Sequence, residues 1–167
     1  MTLEKDGFLS PEELTRLPGI PSAERLEQGP VAVIECAQEI PCNPCEEACP
    51  AGAIQVGEPI TNLPVLESDK CTGCGLCIPV CPGLAIFVVD MTYSDREATV
   101  QLPYEFLPLP QKGELVTALD REGKAICPAR VVNVRNPKKF DHTAVIAIAV
   151  PKDKAMNVRN IALIRRQ

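Results

Sequence analysis

The sequence predicts an α+β fold, in which a small module with a pseudo-twofold repeat is followed by a small antiparallel β-sheet or barrel. Three observations lead to this prediction. Residues 31–91 contain two copies of one cysteine-rich unit. Residues 92–167 contain short β-rich runs separated by Pro, Gly, Asn and Asp. A proline-rich arm, residues 1–30, precedes both regions.

The arm contains one clear helix start, Ser10-Pro11-Glu12-Glu13. Ser10 suits the N-cap, Pro11 the first helical position, and Glu13 can return to the cap amide. Pro18, Pro21 and Pro30 interrupt whatever follows, because proline ends helices. We therefore expect the arm to lie along the surface of the other regions, the alternative being a flexible terminus.

The repeat within residues 31–91 appears when the chain is aligned with itself so that Cys42 falls on Cys74. Each copy is a cysteine loop that runs into Cys-Pro and then into an apolar stretch typical of a strand. The copies predict strands at 53–56 and 85–89. The aligned pairs are Cys42 and Cys74, Cys45 and Cys77, Cys49 and Cys81, Pro50 and Pro82, Ala53 and Ala85, Ile54 and Ile86, and Val56 and Val88.

The region after residue 91 is predicted to be mostly strands. Asp120-Arg121-Glu122-Gly123 separates two apolar runs and is typical of a hairpin turn in which Gly123 adopts a positive φ. A terminal helix with a basic last turn is expected from Lys152 onward. The expected strands are 99–102, 115–119, 129–134 and 144–150.

The composition narrows the class of protein. The chain has 167 residues, 46% of them hydrophobic, which suits one ordinary domain or two small ones. No apolar run approaches the roughly 20 residues of a membrane-spanning helix, since the run 144–150 stops at Pro151. The arm does not resemble a secretory signal, so a cytoplasmic location is expected. In that compartment nine cysteines indicate metal or redox chemistry.

Charge is divided unevenly along the chain. Residues 1–90 hold 14 acids and 4 bases, a net charge of −10, whereas residues 91–167 hold 8 acids and 13 bases, a net charge of +5. Such a division indicates two regions with different surfaces. We expect the basic region to be a docking element for an acidic or neutral partner surface, the alternative being scattered charge on a solvated barrel.

The strongest motif is C-x2-C-x2-C-x3-C-P at residues 71–82, with a second copy, C-x2-C-x3-C-P, at residues 42–50. Cysteines at this spacing, in a loop that turns at Gly73 and Gly75, wrap an iron–sulfur cluster, and the fourth cysteine ligates the other cluster in two-cluster proteins. Structural zinc normally takes two separated pairs or Cys/His mixtures, and the chain has one histidine, His142, in a polar loop. Disulfides would need an oxidising compartment, and they would not explain why glycines lie between these cysteines.

Residues 42–89 resemble the bacterial-type two-cluster ferredoxins. The resemblance covers about a third of the chain through specific motifs, and it implies a ferredoxin-like module with two [4Fe-4S] clusters. It implies one cluster bound by Cys71, Cys74, Cys77 and Cys49. It implies a second cluster bound by Cys42, Cys45, Cys81 and one further ligand.

That further ligand is where the sequence departs from the family. The repeat would place it at residue 39, but the residue there is Glu39. Cys36 is the nearest candidate and gives C-x5-C-x2-C-x3-C-P. The alternatives are an incomplete cluster, or a ligand supplied by Cys127, which is otherwise expected to be a buried structural thiol.

No nucleophile set, P-loop or G-x-G-x-x-G indicates an active site, so the protein is expected to carry electrons for a catalyst located elsewhere. The whole chain also resembles the small iron–sulfur subunit of multi-subunit flavin-dependent dehydrogenases that act on proline, amines or amino acids, through residues 34–50, 61–64, 85–90 and 103–110. This resemblance implies FAD-containing partner subunits. Neither a nucleic-acid partner nor a membrane span is expected. The alternatives are a freely diffusing ferredoxin, whose acidic half would suit docking, and a subunit of a formate, hydrogen or ketoacid oxidoreductase.

Overall fold

An antiparallel sheet of seven strands dominates the part of the protein described by the computed structural model, residues 2–164. Its strand order is β1-β4-β5-β8-β7-β6-β9, and β2 and β3 form a separate two-stranded ribbon. The strands are β1 (Val31–Ile34), β2 (Ile54–Gln55), β3 (Val65–Leu66), β4 (Ile86–Asp90), β5 (Glu97–Tyr104), β6 (Leu115–Leu119), β7 (Ala125–Arg135), β8 (Ala144–Pro151) and β9 (Asn160–Ile161).

The helices of the described residues are short. Two further turns are 3₁₀, at Ser68–Lys70 and Lys138–Phe140. None of these helices is long and apolar enough to cross a membrane. The α-helices are α1 (Thr2–Asp6), α2 (Pro11–Leu14), α3 (Ala23–Leu26), α4 (Pro44–Glu47) and α5 (Lys152–Ala155).

Strands β1 and β4 join the cysteine-rich region to the rest of the sheet. They pair with each other from Val31↔Val89 to Ile34↔Ile86, and β4 pairs with β5 at Val89↔Val100. All four residues of β1 are buried, which is typical of a strand covered on both faces. The sheet therefore includes strands from both sides of residue 91.

The two faces of β1 and β4 belong to two different hydrophobic cores. Because side chains alternate along a strand, Val31 and Val33 point into the core of the large sheet. Ala32 and Ile34 point the other way, into a second core that contains Cys45. Each fully buried Val or Ile contributes about 1.5–3 kcal/mol relative to an exposed one, so this shared pair of strands couples the two cores strongly.

The predicted hairpin between β6 and β7 is present. Gly123 has a φ of 78° and donates its N–H to the carbonyl of Asp120 at 3.1 Å. The Asp120 carboxylate accepts hydrogen bonds from the backbone N–H groups of Glu122 and Lys124, both at 2.9 Å. The Asp120 side chain thus accepts hydrogen bonds from backbone N–H groups of the turn.

The arm lies along one edge of the sheet. The capping box at Ser10 and Glu13 is formed, with the Ser10 N–H donating to the Glu13 carboxylate at 2.9 Å. Further on, the Ile34 N–H donates to the Gly19 carbonyl at 2.9 Å. A Cβ at Gly19 would lie 2.6 Å from the Cβ of Ile34, so glycine permits this approach. The arm thereby covers the outer edge of β1, which would otherwise be unpaired.

The helix expected from Lys152 onward begins there and ends at Ala155. The chain then turns back, and Arg159 and Ala162 donate their N–H groups to the carbonyls of Leu119 and Thr117 on β6. Because β6 offers a free edge, the backbone of this segment pairs with it as β9 and does not continue as a helix. The basic last turn that was expected, with Arg165 and Arg166, lies outside the described residues.

Candidate iron–sulfur site

Eight of the nine cysteines line two cavities, four in each. The first cavity, about 220 Å³, is lined by the first cysteine group: Cys36, Cys42, Cys45 and Cys81. The second, about 20 Å³, is lined by the second cysteine group: Cys49, Cys71, Cys74 and Cys77. Each group takes one member from the other half of the repeat, as the resemblance to two-cluster ferredoxins implies. The assignment of these residues as cluster ligands stays a prediction.

Cys36 and Cys127 lie in different places. Cys36 is the second residue after β1 and lines the first cavity beside Cys42 and Cys81. Cys127 is on β7, half-buried against the core of the large sheet, and lines neither cavity. The single histidine, His142, is exposed in the turn before β8. Within residues 2–164, no three His, Cys, Asp or Glu side chains converge as they would around a single metal ion.

The two halves of the repeat have matching local geometry after the Cys-Pro pair. The Ala53 N–H donates to Cys49 Sγ at 3.2 Å, and at the matching position of the other half the Ala85 N–H donates to Cys81 Sγ at 3.5 Å. Gly52 has a φ of 59°, and its counterpart Leu84 has a φ of 51°, although that conformation costs a residue with a side chain about 1–3 kcal/mol. Each half therefore directs one amide at the sulfur of its last cysteine, an interaction that stabilises a thiolate.

The loop of the second group is packed tightly against its neighbours. Gly73 has a φ of 67°, and a Cβ there would lie 2.4 Å from the Cβ of Pro30. Gly75 has a φ of 71°, and a Cβ there would lie 2.7 Å from the Arg135 guanidinium. Both positions need glycine, for the conformation and for the space.

Two arginines from outside the module hold this loop. Arg25, in α3, donates to the carbonyl of Cys71 at 2.8 Å and to that of Ser68 at 2.8 Å. Arg135, at the end of β7, donates to the carbonyl of Cys74 at 3.0 Å and to the Gln101 side chain at 2.8 Å. Sequence reasoning missed both arginines, because an isolated basic residue in an arm or a strand carries no motif.

Beside the first group lies a buried ion-pair cluster, which sequence reasoning also missed. Glu35 accepts hydrogen bonds from Arg121 at 2.9 Å and from Arg159 at 2.7 Å. Arg159 is buried, and its guanidinium lies 4.7 Å from the centre of the Phe87 ring. Burial opposes ionisation of Glu35, but the hydrogen bond from Arg121 and the charge of Arg159 outweigh it and lower the pKa of the carboxyl.

The net pKa shift of two buried cysteines is in the opposite direction, because no cation among the described residues offsets their burial. Burial raises the pKa of the Cys45 thiol to about 11 and that of the Cys77 thiol to about 12, and repulsion from neighbouring cysteines adds to both. Four thiolates can share such a cavity only if positive charge is placed among them. The donor set, four sulfurs around one space with amides directed at Cys49 and Cys81, fits an iron–sulfur cluster.

The comparisons with known proteins agree with this donor chemistry. Residues 40–85 match the family model described as the 4Fe-4S dicluster domain. The chain therefore contains a ferredoxin domain of the kind that carries iron–sulfur clusters. No solved structure matches the chain.

Several curated proteins are similar to parts of the chain. One subunit of an ion-translocating oxidoreductase complex from Methanosarcina acetivorans is 47% identical over 47 residues, 28% of this chain and 17% of that protein. The polyferredoxin-like subunit of an aliphatic sulfonate oxidoreductase from Pyrococcus furiosus is 33% identical over 87 residues, 49% of this chain and 43% of that protein. The ferredoxin-type protein NapF of Haemophilus influenzae is 35% identical over 63 residues, 34% of this chain and 33% of that protein. The chain thus spans less than half the length of these relatives.

Proposed function

We propose that this protein is an electron-transfer subunit with two [4Fe-4S] clusters. The first cysteine group would hold one cluster and the second group the other. When bound, such clusters supply reversible one-electron storage at a potential set by charge, sulfur hydrogen bonds and solvent exposure. The observation that carries the proposal is the sorting of eight cysteines into two cavities of four, each completed by a cysteine from the opposite half of the repeat.

Backbone amides and arginine side chains around the cavities have different roles in this proposal. The amides of Ala53 and Ala85 stabilise negative charge on the sulfurs of Cys49 and Cys81. Arg25 and Arg135 hold the loop of the second group in place through its carbonyls. Because these arginines come from the arm and from β7, the segments flanking the module help to build the site.

The test is the metal content of anaerobically purified protein. We expect about eight irons and eight sulfides per chain, together with the spin–spin interaction of two neighbouring paramagnets in electron spin resonance of the reduced protein. The Cys127→Ser protein is the matched control and should keep both properties. An iron content near four in the unmodified chain would remove one cluster from the proposal.

We further propose that the protein works inside a multi-subunit oxidoreductase, specifically a flavin-dependent amine or amino-acid dehydrogenase with FAD-containing subunits. Two of the relatives above are named as subunits of oxidoreductases, which supports an assembly. The flavin-dependent partner is supported by the resemblance of the whole chain described above. Purification with native partners, followed by mass identification and a flavin assay, tests it. A molybdenum, nickel or thiamine partner would favour the formate, hydrogen or ketoacid alternative, and purification as a single chain would favour the diffusing ferredoxin.

A further inference from the structure

The two cysteine groups differ in their exposure. Among their eight cysteines Cys74 alone is exposed, and the others are buried or half-buried. The first group is covered by the arm, whose residues Leu3 and Leu9 line its cavity, and Leu9 is buried there. Because Cys74 is the exposed cysteine, a partner protein can approach the groups most closely there. Electron transfer between proteins weakens steeply with distance, so this position favours electron exchange.

Cys74 opens onto a groove of about 250 Å³ on the outer face of β5, β7 and β8. The opposite face of these strands forms the core of the large sheet, so the groove is the solvent side. Its floor carries small and polar side chains, which leave room for another protein: Thr99, Gln101, Asn133 and Ala147.

The end of the groove next to Cys74 is basic. Arg135 lines it, and its guanidinium lies 5.8 Å from the centre of the Phe140 ring. The Lys139 ammonium lies 6.0 Å from the same ring centre, and Lys138 is exposed in the same 3₁₀ turn. This end of the groove therefore carries three cations, Arg135, Lys138 and Lys139. Two acids lie beside them: Asp141, and Glu105, which accepts a hydrogen bond from the Thr143 hydroxyl.

Other charges nearby are paired or negative, and the exposed Asp69 in the 3₁₀ turn before the loop of the second group is one of the acids. Glu97, farther along the outer face of β5, pairs with Arg130. Lys70, which precedes the loop of the second group, pairs with Glu67. The excess positive charge around Cys74 is thus local to the turn after β7.

We propose that this groove is the docking surface for an acidic electron-transfer protein, with Cys74 as the point of electron exchange. The inference rests on the proposed function. In each encounter the partner's one-electron acceptor is reduced by one electron, this protein is oxidised by one electron, and no bond or proton changes place. The cations steer an acidic partner toward the groove and orient it there.

Small redox probes of opposite charge test the position of the exchange point. The protein is reduced electrochemically and then oxidised in a stopped-flow instrument by the iron(III)–EDTA anion or by the hexaammineruthenium(III) cation. In the Lys138→Gln/Lys139→Gln variant, oxidation by the anion should slow about threefold at low ionic strength, because two of the three cations at this end of the groove are removed. Oxidation by the cation should become faster, and both effects should vanish near 1 M salt.

Lys124→Gln is the control for a positive charge removed far from the groove, although Lys124 is one lysine and is paired with Glu122. Lys124 is exposed in the hairpin before β7, and the eleven residues of β7 separate it from Arg135 by roughly 30 Å, well beyond a Debye length. Its rates should equal those of the unmodified protein. Poly-L-glutamate, as an acidic polymer, should slow oxidation of the unmodified protein and of the control but not of the double variant.

The outcomes separate this inference from the function on which it rests. If both variants contain two clusters and the double variant reacts like the control with both probes, electrons leave elsewhere and the docking surface is wrong. If the unmodified protein holds fewer than two clusters, the proposed function itself fails.

Discussion

Replacing Glu35 by Gln should destabilise the protein strongly. Glu35 is the carboxylate shared by Arg121 and Arg159, and the Arg159 side chain is almost fully buried. At an effective dielectric constant near 20, one pair at about 4 Å is worth about 4 kcal/mol of Coulomb energy, most of which offsets the cost of burying the charges. Gln leaves two guanidinium groups beside each other without a counter-charge. Breaking a buried pair in this way typically costs about 3–5 kcal/mol.

The assay is anaerobic urea unfolding followed by cluster absorbance and circular dichroism. With a slope of roughly 2 kcal/mol per molar urea, the midpoint for Glu35→Gln should fall by about 1.5–2.5 M. Glu97→Gln is the control, because Glu97 pairs with Arg130 on the surface and such pairs contribute about 0–1 kcal/mol. Equal midpoints for the two variants would refute the argument that the buried cluster stabilises the fold.

The difference in stability between the unmodified protein and Glu35→Gln should also depend on pH. The pKa of Glu35 is lowered in the folded state, so its contribution is complete above the ordinary glutamate pKa of about 4.3. That contribution is lost as pH falls through the lowered folded-state pKa. The difference in stability between the unmodified protein and Glu35→Gln should therefore be constant near neutral pH and shrink only in acid. A difference that disappears above pH 6 would contradict this assignment.

Three further predictions concern the cysteine groups. If each group holds a cluster as proposed, Cys36→Ser should convert the cluster of the first group to a three-iron form and leave that of the second group intact. Cys127→Ser should change neither. Iron analysis and electron spin resonance measure both effects, and the reverse result would reassign the ligand. Gly73→Ala should damage the second cluster selectively, because its Cβ has no space, and an unchanged spectrum would show that the loop can shift. Deleting residues 2–9 uncovers the first cavity and should speed the loss of the first cluster in air several-fold, measured by bleaching; equal bleaching of both clusters would show that the arm does not shield it.

Much of the cysteine-rich region could be predicted, because its information is local. Cysteines separated by only two or three positions bring their sulfurs to one loop, and the internal repeat identifies matched positions such as Ala53 and Ala85. The hairpin at residues 120–123 and the capping box at Ser10 were predicted for the same reason. In each case the residues that interact lie within a few positions of one another.

The long-range partners could not be predicted in this way. Arg121 and Arg159 meet Glu35 across 86 and 124 residues, and Arg135 meets Cys74 across 61. The segment after Ala155 has a helix-compatible composition, yet it pairs with β6 because that strand has an open edge. Nothing near these residues in the chain indicates their partners.

By itself, the sequence determined the chemistry of this protein: cysteines at cluster spacing, in two copies, followed by a β-rich basic region. The tertiary structure decided how these parts depend on each other. Because both faces of β1 are apolar, this strand and β4 are buried between two cores and join the cysteine-rich region to the large sheet. That joining brings Arg25 and Arg135 onto the loop of the second group and leaves Cys74 beside an open groove, since side chains distant in the chain become neighbours only when the sheet forms.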